Sequence, residues 1–274
     1  TRVFDERRNI TEEAYFGVDG KPILHEKNGY AKITRNYDER GNITEAATFG
    51  VDGKPALSKD GHAKFTQVFD QRRNVTEVAY FGVDGKPMLL ENSYAKLIRN
   101  YDAHGILTKT TYFGVDGHAK FTQVFDEHGN VTEFSYFGID GKPMLYEGKC
   151  AKLTRVYDEH RNVTEYACFG VDGKPMLYKG RLAKFTQVFD EHGNATEISY
   201  FGVDGKPMLQ ENGYVKSTRK YDKRGNVTEV AYFGVDGYPT LNNEGISKFT
   251  RVFDERRNIT EEAYFGVDGK PILH

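Results

Sequence analysis

The sequence contains no tryptophan, only two cysteines in 274 residues, and no apolar run long enough to span a membrane. Two cysteines exclude a disulfide framework. Neither sign of charge dominates, because 38 lysine and arginine residues stand against 40 aspartate and glutamate residues, a formal net charge of -2. This balance leaves no electrostatic footprint for nucleic acid or an anionic membrane. We therefore expect no nucleic-acid partner and no membrane span.

Helical periodicity is absent as well, so no segment is predicted to be an amphipathic helix. The chain does not begin with methionine and carries no signal peptide. It is expected to be an excerpt from a longer protein whose localisation signal lies elsewhere.

What the sequence has instead is one short motif, Phe-Gly-Val/Ile-Asp-Gly, repeated nine times at intervals of 32 or 33 residues, with one interval of 24. A fixed period of this length is typical of solenoids, propellers and hairpin arrays. Residues 1–274 are therefore predicted to be a single array of nine repeats of about 32 residues. The first glycine of each motif is Gly17, Gly50, Gly82, Gly114, Gly138, Gly170, Gly202, Gly234 or Gly266.

Residues 183–214 illustrate the local structure predicted for each repeat. Residues 183–190 and 196–201 are short and rich in β-branched and aromatic residues, so they read as two strands joined by the turn 190–194. The Asp-Gly pair after the second strand predicts another tight turn. A short extended piece, 207–209, follows, and its proline limits it to an edge strand or a strand start. The predicted structural turn residues are Gly17, Asp19, Gly20, Gly50, Asp52, Gly53, Gly202, Asp204 and Gly205.

The array is predicted to be held together by stacking between repeats. A single hairpin is marginal in water, so each repeat needs its neighbours. We favour an all-β open solenoid or superhelix, and the alternative is a closed propeller-like ring. Identical stacked repeats would place like charges in rows, and pairing of the lysine row with a glutamate or aspartate row would offset this repulsion. The variable column that contains Ile198 reads as the solvated face of its strand.

Two higher-order features modify the regular period. Repeats with Gln and Phe in the first strand (residues 185–190) alternate with repeats that have Arg and Tyr (residues 217–222), which favours a structural super-repeat of about 64 residues over duplication without structural meaning. The junction near residue 117 is shortened by eight residues. Residues 1–25 recur unchanged as residues 250–274, as in a still longer array, a closing ring or a recent duplication.

The Tyr-Asp-x-x-Gly-Asn-x-Thr stretches at residues 37–44 and 221–228 resemble the YD repeats of RHS-type proteins. The chain also resembles other bacterial tandem β-hairpin arrays, such as the WG and choline-binding repeats, although it lacks their tryptophans. This resemblance implies extended sheet built from hairpins, as a shell, a solenoid or a ligand-binding stalk. By analogy it favours a cell-surface or extracellular location over others, and the location itself stays unknown.

No catalytic, cofactor-binding or metal-binding residue is predicted. A histidine in the turn column, as at His128, His160 and His192, is interchangeable with arginine in other repeats. One aspartate per Asp-Gly turn falls short of the oxygen ligands that calcium needs. Catalysis needs one asymmetric constellation, which nine similar repeats do not supply. Cys150 and Cys168 are expected to be free, semi-buried thiols, with a disulfide as the alternative.

The sequence therefore predicts a non-enzymatic structural or scaffold protein, a segment of a rod, fibre or filament. Its partners would be neighbouring repeats or other copies of itself. The alternative is a repetitive binding module for glycan, cell-wall or protein ligands, with one tyrosine column as the exposed binding surface. That column consists of Tyr15, Tyr80, Tyr136, Tyr200 and Tyr232.

Overall fold

The computed structural model describes residues 1–90 and 93–272, which contain nineteen β-strands and no helix. The chain forms two compact bodies. The first comprises Thr1–Gly129 and Phe137–Lys142, and the second comprises Asn130–Tyr136 and Pro143–His274. The strands of the first body are β1 (Arg2–Phe4), β2 (Ile10–Ala14), β3 (Lys32–Tyr37), β4 (Ile43–Phe49), β5 (Lys64–Phe69), β6 (Val75–Phe81), β7 (Lys96–Tyr101), β8 (Leu107–Phe113) and β9 (Ala119–Phe125). Those of the second are β10 (Val131–Tyr136), β11 (Lys152–Tyr157), β12 (Val163–Phe169), β13 (Lys184–Phe189), β14 (Ala195–Phe201), β15 (Lys216–Tyr221), β16 (Val227–Phe233), β17 (Lys248–Phe253), β18 (Ile259–Phe265) and β19 (Pro271–Ile272).

Within each body every strand pairs antiparallel with the strand that follows it in the sequence. In the hairpin β5–β6, six residue pairs run from Lys64↔Phe81 to Phe69↔Val75. The junction to the next hairpin is shorter, with three pairs between β6 and β7. Among the described residues the first strand of a body does not pair with its last, so each sheet is open. The predicted all-β tandem hairpin array is confirmed, and neither body is a closed ring.

The turn inside each hairpin is built by one aspartate. In β5–β6, Asp70 Oδ1 accepts the backbone N–H groups of Arg72 and Asn74 at 2.8 Å each. The Asn74 side chain donates to Asp70 Oδ2 at 2.9 Å. A β-bulge between Val68 and Phe69 adjoins this turn. The turn requires a residue with positive φ, which is Arg73 here (68°) and glycine in most other repeats.

The predicted turn at the other end of the hairpin is also present, but the predicted third strand is reduced. Asp52 Oδ1 accepts the N–H of Lys54 at 3.0 Å, and Gly53 has a φ of 75°. The proline that follows makes only an isolated bridge, Phe49↔Pro55. Proline has no N–H to extend a ladder, so pairing stops after one residue in most repeats. In the described part of the chain, β19 alone is long enough to count as a strand at this position.

Burial is modest, and the side chains that are fully buried are small. The largest of them are Thr110, Cys168 and Ser217. The column that contains Ile198 was predicted to be solvated, and this prediction is wrong, because Val78 and Val230 in that column are buried, at 5% and 6% exposure. Strand register places Val78 opposite Gln67 in its own hairpin and Leu97 in the next, so side chains on both sides cover it.

The two cysteines form a disulfide, which corrects the expectation of free thiols. Cys150 precedes β11 and Cys168 lies in β12 of the same hairpin, with 5.7 Å between their Cα atoms. Both are buried. The equivalent pair in another repeat is Tyr94 and Tyr112, whose rings are in contact. The hairpin register brings these two columns together, and cysteine in both columns turns a ring contact into a covalent bond.

The shortened junction near residue 117 is a tight hairpin between β8 and β9. Five residue pairs replace the usual three, running from Lys109↔Val124 to Phe113↔Ala119. Thr111 faces Thr122, whereas the equivalent residue of an ordinary junction faces the lysine of the next strand. The register has therefore moved by two residues. Lys109 replaces the usual glutamate here, and the shift places it opposite Val124 instead of beside a second lysine.

Replacing Ser217 by leucine is predicted to stabilise the chain. Ser217 is 2% exposed, and its hydroxyl has no hydrogen-bond partner among the described residues. The same column holds Leu97 in another repeat. Removing an unpaired buried hydroxyl and filling the space should raise the free energy of unfolding by about 1–2 kcal/mol. Urea denaturation measures this, with Leu97→Ser as the matched reverse change that should lose about 2 kcal/mol or more. No gain in Ser217→Leu would mean that the site has no room for the larger side chain.

Removing the disulfide is predicted to destabilise the chain. The bond closes a loop with a sequence separation of 18 residues, and a loop of that size corresponds to about 3 kcal/mol. Cys150→Ala with Cys168→Ala should lose this amount in urea denaturation. Changing both cysteines to tyrosine should recover about 1 kcal/mol of it through the ring contact. A reducing agent should lower the urea midpoint of the parent chain toward that of the alanine variant. An unchanged midpoint would contradict the disulfide.

Candidate functional surfaces

The most regular side-chain feature in the described part of the chain is a lysine that lies, at six junctions, between a glutamate of the preceding hairpin and a phenylalanine of its own. Lys184 Nζ is 3.2 Å from Glu165 and 5.1 Å from the centre of the Phe201 ring. The predicted cross-pairing of the lysine and glutamate rows is confirmed. Among the described residues, the ion pairs of this kind are Lys32–Glu12, Lys64–Glu45, Lys96–Glu77, Lys152–Glu133, Lys184–Glu165 and Lys216–Glu197.

Alternate junctions carry an additional hydrogen bond. In each Arg-Tyr repeat the tyrosine that ends the first strand reaches back to the preceding hairpin and donates to the carbonyl of the first residue of its second strand. Tyr101 Oη donates to the Val75 carbonyl at 2.9 Å. The other three bonds are Tyr37 to Ile10, Tyr157 to Val131 and Tyr221 to Ala195. Phe69 occupies this position in the intervening repeat and has no hydroxyl, so the bond recurs once per two hairpins.

The tyrosine column predicted as a binding surface lies on one face of the sheets. Its members are half-buried, because rings from the loops and neighbouring strands lie against them. Tyr80 contacts His62 and Tyr94, with ring centres 5.3 and 6.1 Å apart. Tyr136 stacks on Tyr146 at 4.5 Å. The remaining members contact His25 and Tyr30 (Tyr15) or Tyr214 (Tyr200 and Tyr232). Ligand binding by this column stays a prediction.

The predicted turn residues lie at the opposite end of the strands from the aspartate turns inside the hairpins. Asp19, Asp52 and Asp204 each accept the N–H of the lysine two residues later, as a turn-forming aspartate does. The glycines beside them make the matching backbone turn. In residues 1–90 and 93–272 no group of three or more His, Cys, Asp and Glu side chains is arranged to hold a metal ion.

The aspartates of the turns inside the hairpins have lowered pKa values. The pKa of Asp190 lies below its ordinary value of 3.8, chiefly because the Asn194 side chain donates to it, and backbone N–H groups of the turn add to this effect. The same shift occurs at Asp5, Asp38, Asp70, Asp158, Asp222 and Asp254. Asp102 lacks the asparagine, and there the N–H of Ile106 is the main cause. All of these shifts favour the ionised form.

Sequence reasoning missed a set of arginine contacts between successive turns. Arg40 Nη1 donates to the carbonyl of Gln71 at 2.6 Å, and Arg224 Nη1 donates to that of Glu255 at 2.7 Å. Arg7 makes the same bond to Glu39. The recurrence of arginine in this turn column is the only sequence signal for it, and a solvent-exposed arginine gives the same signal.

Comparison with known proteins places the chain in no family. No protein-family model matches it, and neither does any curated protein. Similar solved structures include the Photorhabdus luminescens Tc holotoxin pore, with a TM-score of 0.30 and 9% identity over 85% of this chain and 13% of that chain. The TcdB2-TccC3 crystal structure has a TM-score of 0.34 and 12% identity over 95% of this chain and 15% of that chain. A porin-like protein from Bacteroides uniformis has a TM-score of 0.27 and 11% identity over 96% and 86% of the two chains.

TM-scores this low do not establish a shared fold, so the likeness to YD repeats stays a resemblance. The chain spans only 13% and 15% of the two Tc toxin chains. No helix in the described part of the chain is long and apolar enough to cross a membrane.

Acidification is predicted to destabilise the array through the hairpin turns. The folded pKa of these aspartates lies below 3.8, so their contribution is present above that pH and is lost as the pH falls through the folded value. The melting temperature should fall steadily below about pH 4. Asn162→Ala with Asn194→Ala should show a smaller acid-dependent loss, because the hydrogen bond that contributes most to the lowered pKa of Asp158 and of Asp190 is removed. Parallel pH profiles for the variant and the parent chain would contradict this origin.

Proposed function

We propose that this chain is a non-enzymatic scaffold segment whose role is to supply length and stiffness as part of a rod, fibre or filament. The observation that supports the proposal is the repetition of the same contacts at successive junctions. The Lys–Glu–Phe arrangement recurs with distances of 3.2–3.6 Å between the charged atoms. Contacts of this kind stabilise each hairpin only through its neighbours.

The same repetition argues against a catalytic role. An active site needs one constellation of unlike groups at one place. In this chain the hairpin-turn aspartates with a lowered pKa recur from repeat to repeat, and the shift of each is explained by its own turn. Their hydrogen bonds hold backbone N–H groups, which is a structural task. Repeats that are alike in this way suit a role that depends on how many repeats the array has and not on what any one repeat carries.

Self-association belongs to the same proposal. β18 has the same sequence as the equivalent residues of the first repeat, yet Ile259–Glu262 are exposed, whereas Ile10–Glu13 in β2 are half-covered. The difference arises because β3 lies beside β2. An uncovered strand edge pairs readily with another strand. The strand that suits this edge best is one like β3, from a further repeat.

Negative-stain electron microscopy of a tandem fusion tests the scaffold role. Joining two copies through the shared segment, so that residues 250–274 of the first serve as residues 1–25 of the second, leaves the repeat unbroken. The expected particles are rods of unchanged width and about twice the length of the single chain. A control fusion with a flexible Gly/Ser linker at the same point should show two separate bodies. Fused particles that are rounder than the single chain and equal to it in length would overturn the proposal.

A further inference from the structure

Each of the four Arg-Tyr repeats has an arginine at one position of its first strand, and these four arginines differ in their partners. Arg2 and Arg251 hold the same position in the first and last repeats and pair with Glu13 and Glu262. Arg35 Nη2 lies 3.5 Å from Glu13 of the preceding hairpin. Arg155 lies over the ring of Phe134, 5.4 Å from its centre. The residues equivalent to Glu13 and Phe134 in the other two cases are Val78 and Ile198, which offer neither a charge nor a ring. The partner of the arginine has thus been replaced by an aliphatic side chain in two of the four.

Arg99 and Arg219 are the two arginines in those positions. Both are half-buried, and within residues 1–90 and 93–272 neither makes an ion pair, a side-chain hydrogen bond or a ring contact. A guanidinium that is partly withdrawn from water without a partner loses solvation and gains nothing in exchange. It keeps five N–H donors in a planar fork, which matches a carboxylate in two parallel hydrogen bonds.

Tyrosines flank each of these arginines. Leu97 pairs with Tyr112 in the hairpin register, so Arg99, two residues further along β7, lies diagonal to that ring on the same face of the sheet. Burial raises the pKa of Tyr80 and of Tyr112, and the positive charge of Arg99 acts against this rise at both hydroxyls. The guanidinium is therefore within electrostatic reach of both rings. Arg219 stands in the same relation to Tyr200 and Tyr232.

The surface beside Arg99 is open. Arg99 lines a cleft of about 610 Å³ together with polar side chains that include Thr76, Asn100 and Tyr101. Two carboxylates, Asp70 and Asp102, and a second guanidinium, Arg72, also line it. Both carboxylates accept backbone N–H groups of their own turns, at 2.8–2.9 Å. They are held by those turns, and the Arg99 fork is left for a ligand.

We propose that Arg99 and Arg219 each bind a carboxylate of an acidic polysaccharide, a polymer of uronic-acid sugars. The fork would hold the carboxylate, and the ring of the tyrosine two residues later, Tyr101 or Tyr221, would contact the sugar; Tyr101 lines the cleft with Arg99. A tyrosine offers an apolar ring face to the C–H face of a sugar and a hydroxyl to its hydroxyl groups. An acidic peptide would use the fork but not this aromatic surface. The proposal does not depend on the scaffold role.

The residue Glu13 makes the proposal testable in two directions. Glu13 occupies Arg35, which otherwise resembles Arg99: it acts on the hydroxyls of Tyr15 and Tyr30, and it lines a cleft of about 420 Å³. Glu13 also pairs with Arg2, at 3.0 Å, so Glu13→Gln is made throughout in an Arg2→Gln background. In that background it should free Arg35 alone and create a third site. The arginine variants, in contrast, should remove the existing sites.

Isothermal titration of the full chain with a galacturonate trisaccharide at low salt measures the stoichiometry. The parent chain should bind two molecules, and Glu13→Gln should bind about three. Arg99→Gln with Arg219→Gln should weaken binding at least tenfold, because two charge-assisted hydrogen bonds are lost at each site. Lys54→Gln with Lys86→Gln removes the same charge from exposed turns and should change the affinity less than twofold.

Three further outcomes decide the ligand. Polygalacturonate should bind, and the same polymer with its carboxylates methyl-esterified should not. Equal loss in the lysine and arginine variants would mean diffuse charge attraction and would overturn the proposal. Equal affinity for polyglutamate would show that the forks take acidic peptides, and it would also overturn it. If the double arginine variant melts below the parent chain, the stoichiometry of Glu13→Gln decides alone: two molecules per chain contradict the proposal.

Discussion

The register between successive hairpins is the constraint on which the rest of this structure depends. Three residue pairs join one hairpin to the next, against six within a hairpin. Those three pairs place a lysine beside the glutamate of the preceding hairpin and over the phenylalanine of its own. A shift of one residue would send each of these side chains to the opposite face. The ladder therefore fixes which face carries the tyrosines and which carries the Lys–Glu ion pairs.

A sheet with so few fully buried large side chains draws its stability from contacts along its faces. The ion pairs are about one-third exposed, so each contributes well under about 1 kcal/mol. Ring contacts and the tyrosine hydrogen bonds at alternate junctions add to them. Because every contribution is small and repeated, the loss of one is tolerable. This explains how Lys109 and a junction of altered register persist inside the first body.

Local chemistry made much of the fold predictable from the sequence. Asp70 and Asn74 specify their turn by themselves, and the strands on either side of it follow from β-branched and aromatic residues. The burial of the Ile198 column was not predictable. Its varied residues are typical of an exposed position, whereas the space between the side chains of the two adjacent strands accepts valine, alanine or isoleucine. The disulfide depends on a pairing between two columns that only the hairpin register brings together. Whether the arginine has an ion-pair partner, as at Arg35, or lacks one, as at Arg99, also depends on one residue of the adjacent hairpin.

The backward hydrogen bond of Tyr37, Tyr101, Tyr157 and Tyr221 has an evolutionary consequence. An array lengthened by one hairpin would set two Phe hairpins or two Tyr hairpins side by side and break the alternation of junction types. Lengthening by an even number keeps every junction as it was. Gain or loss of an even number of hairpins therefore preserves every junction, and gene duplications are tolerated best when they add hairpins in pairs. The identical segments 1–25 and 250–274 both belong to Phe hairpins, as that rule requires.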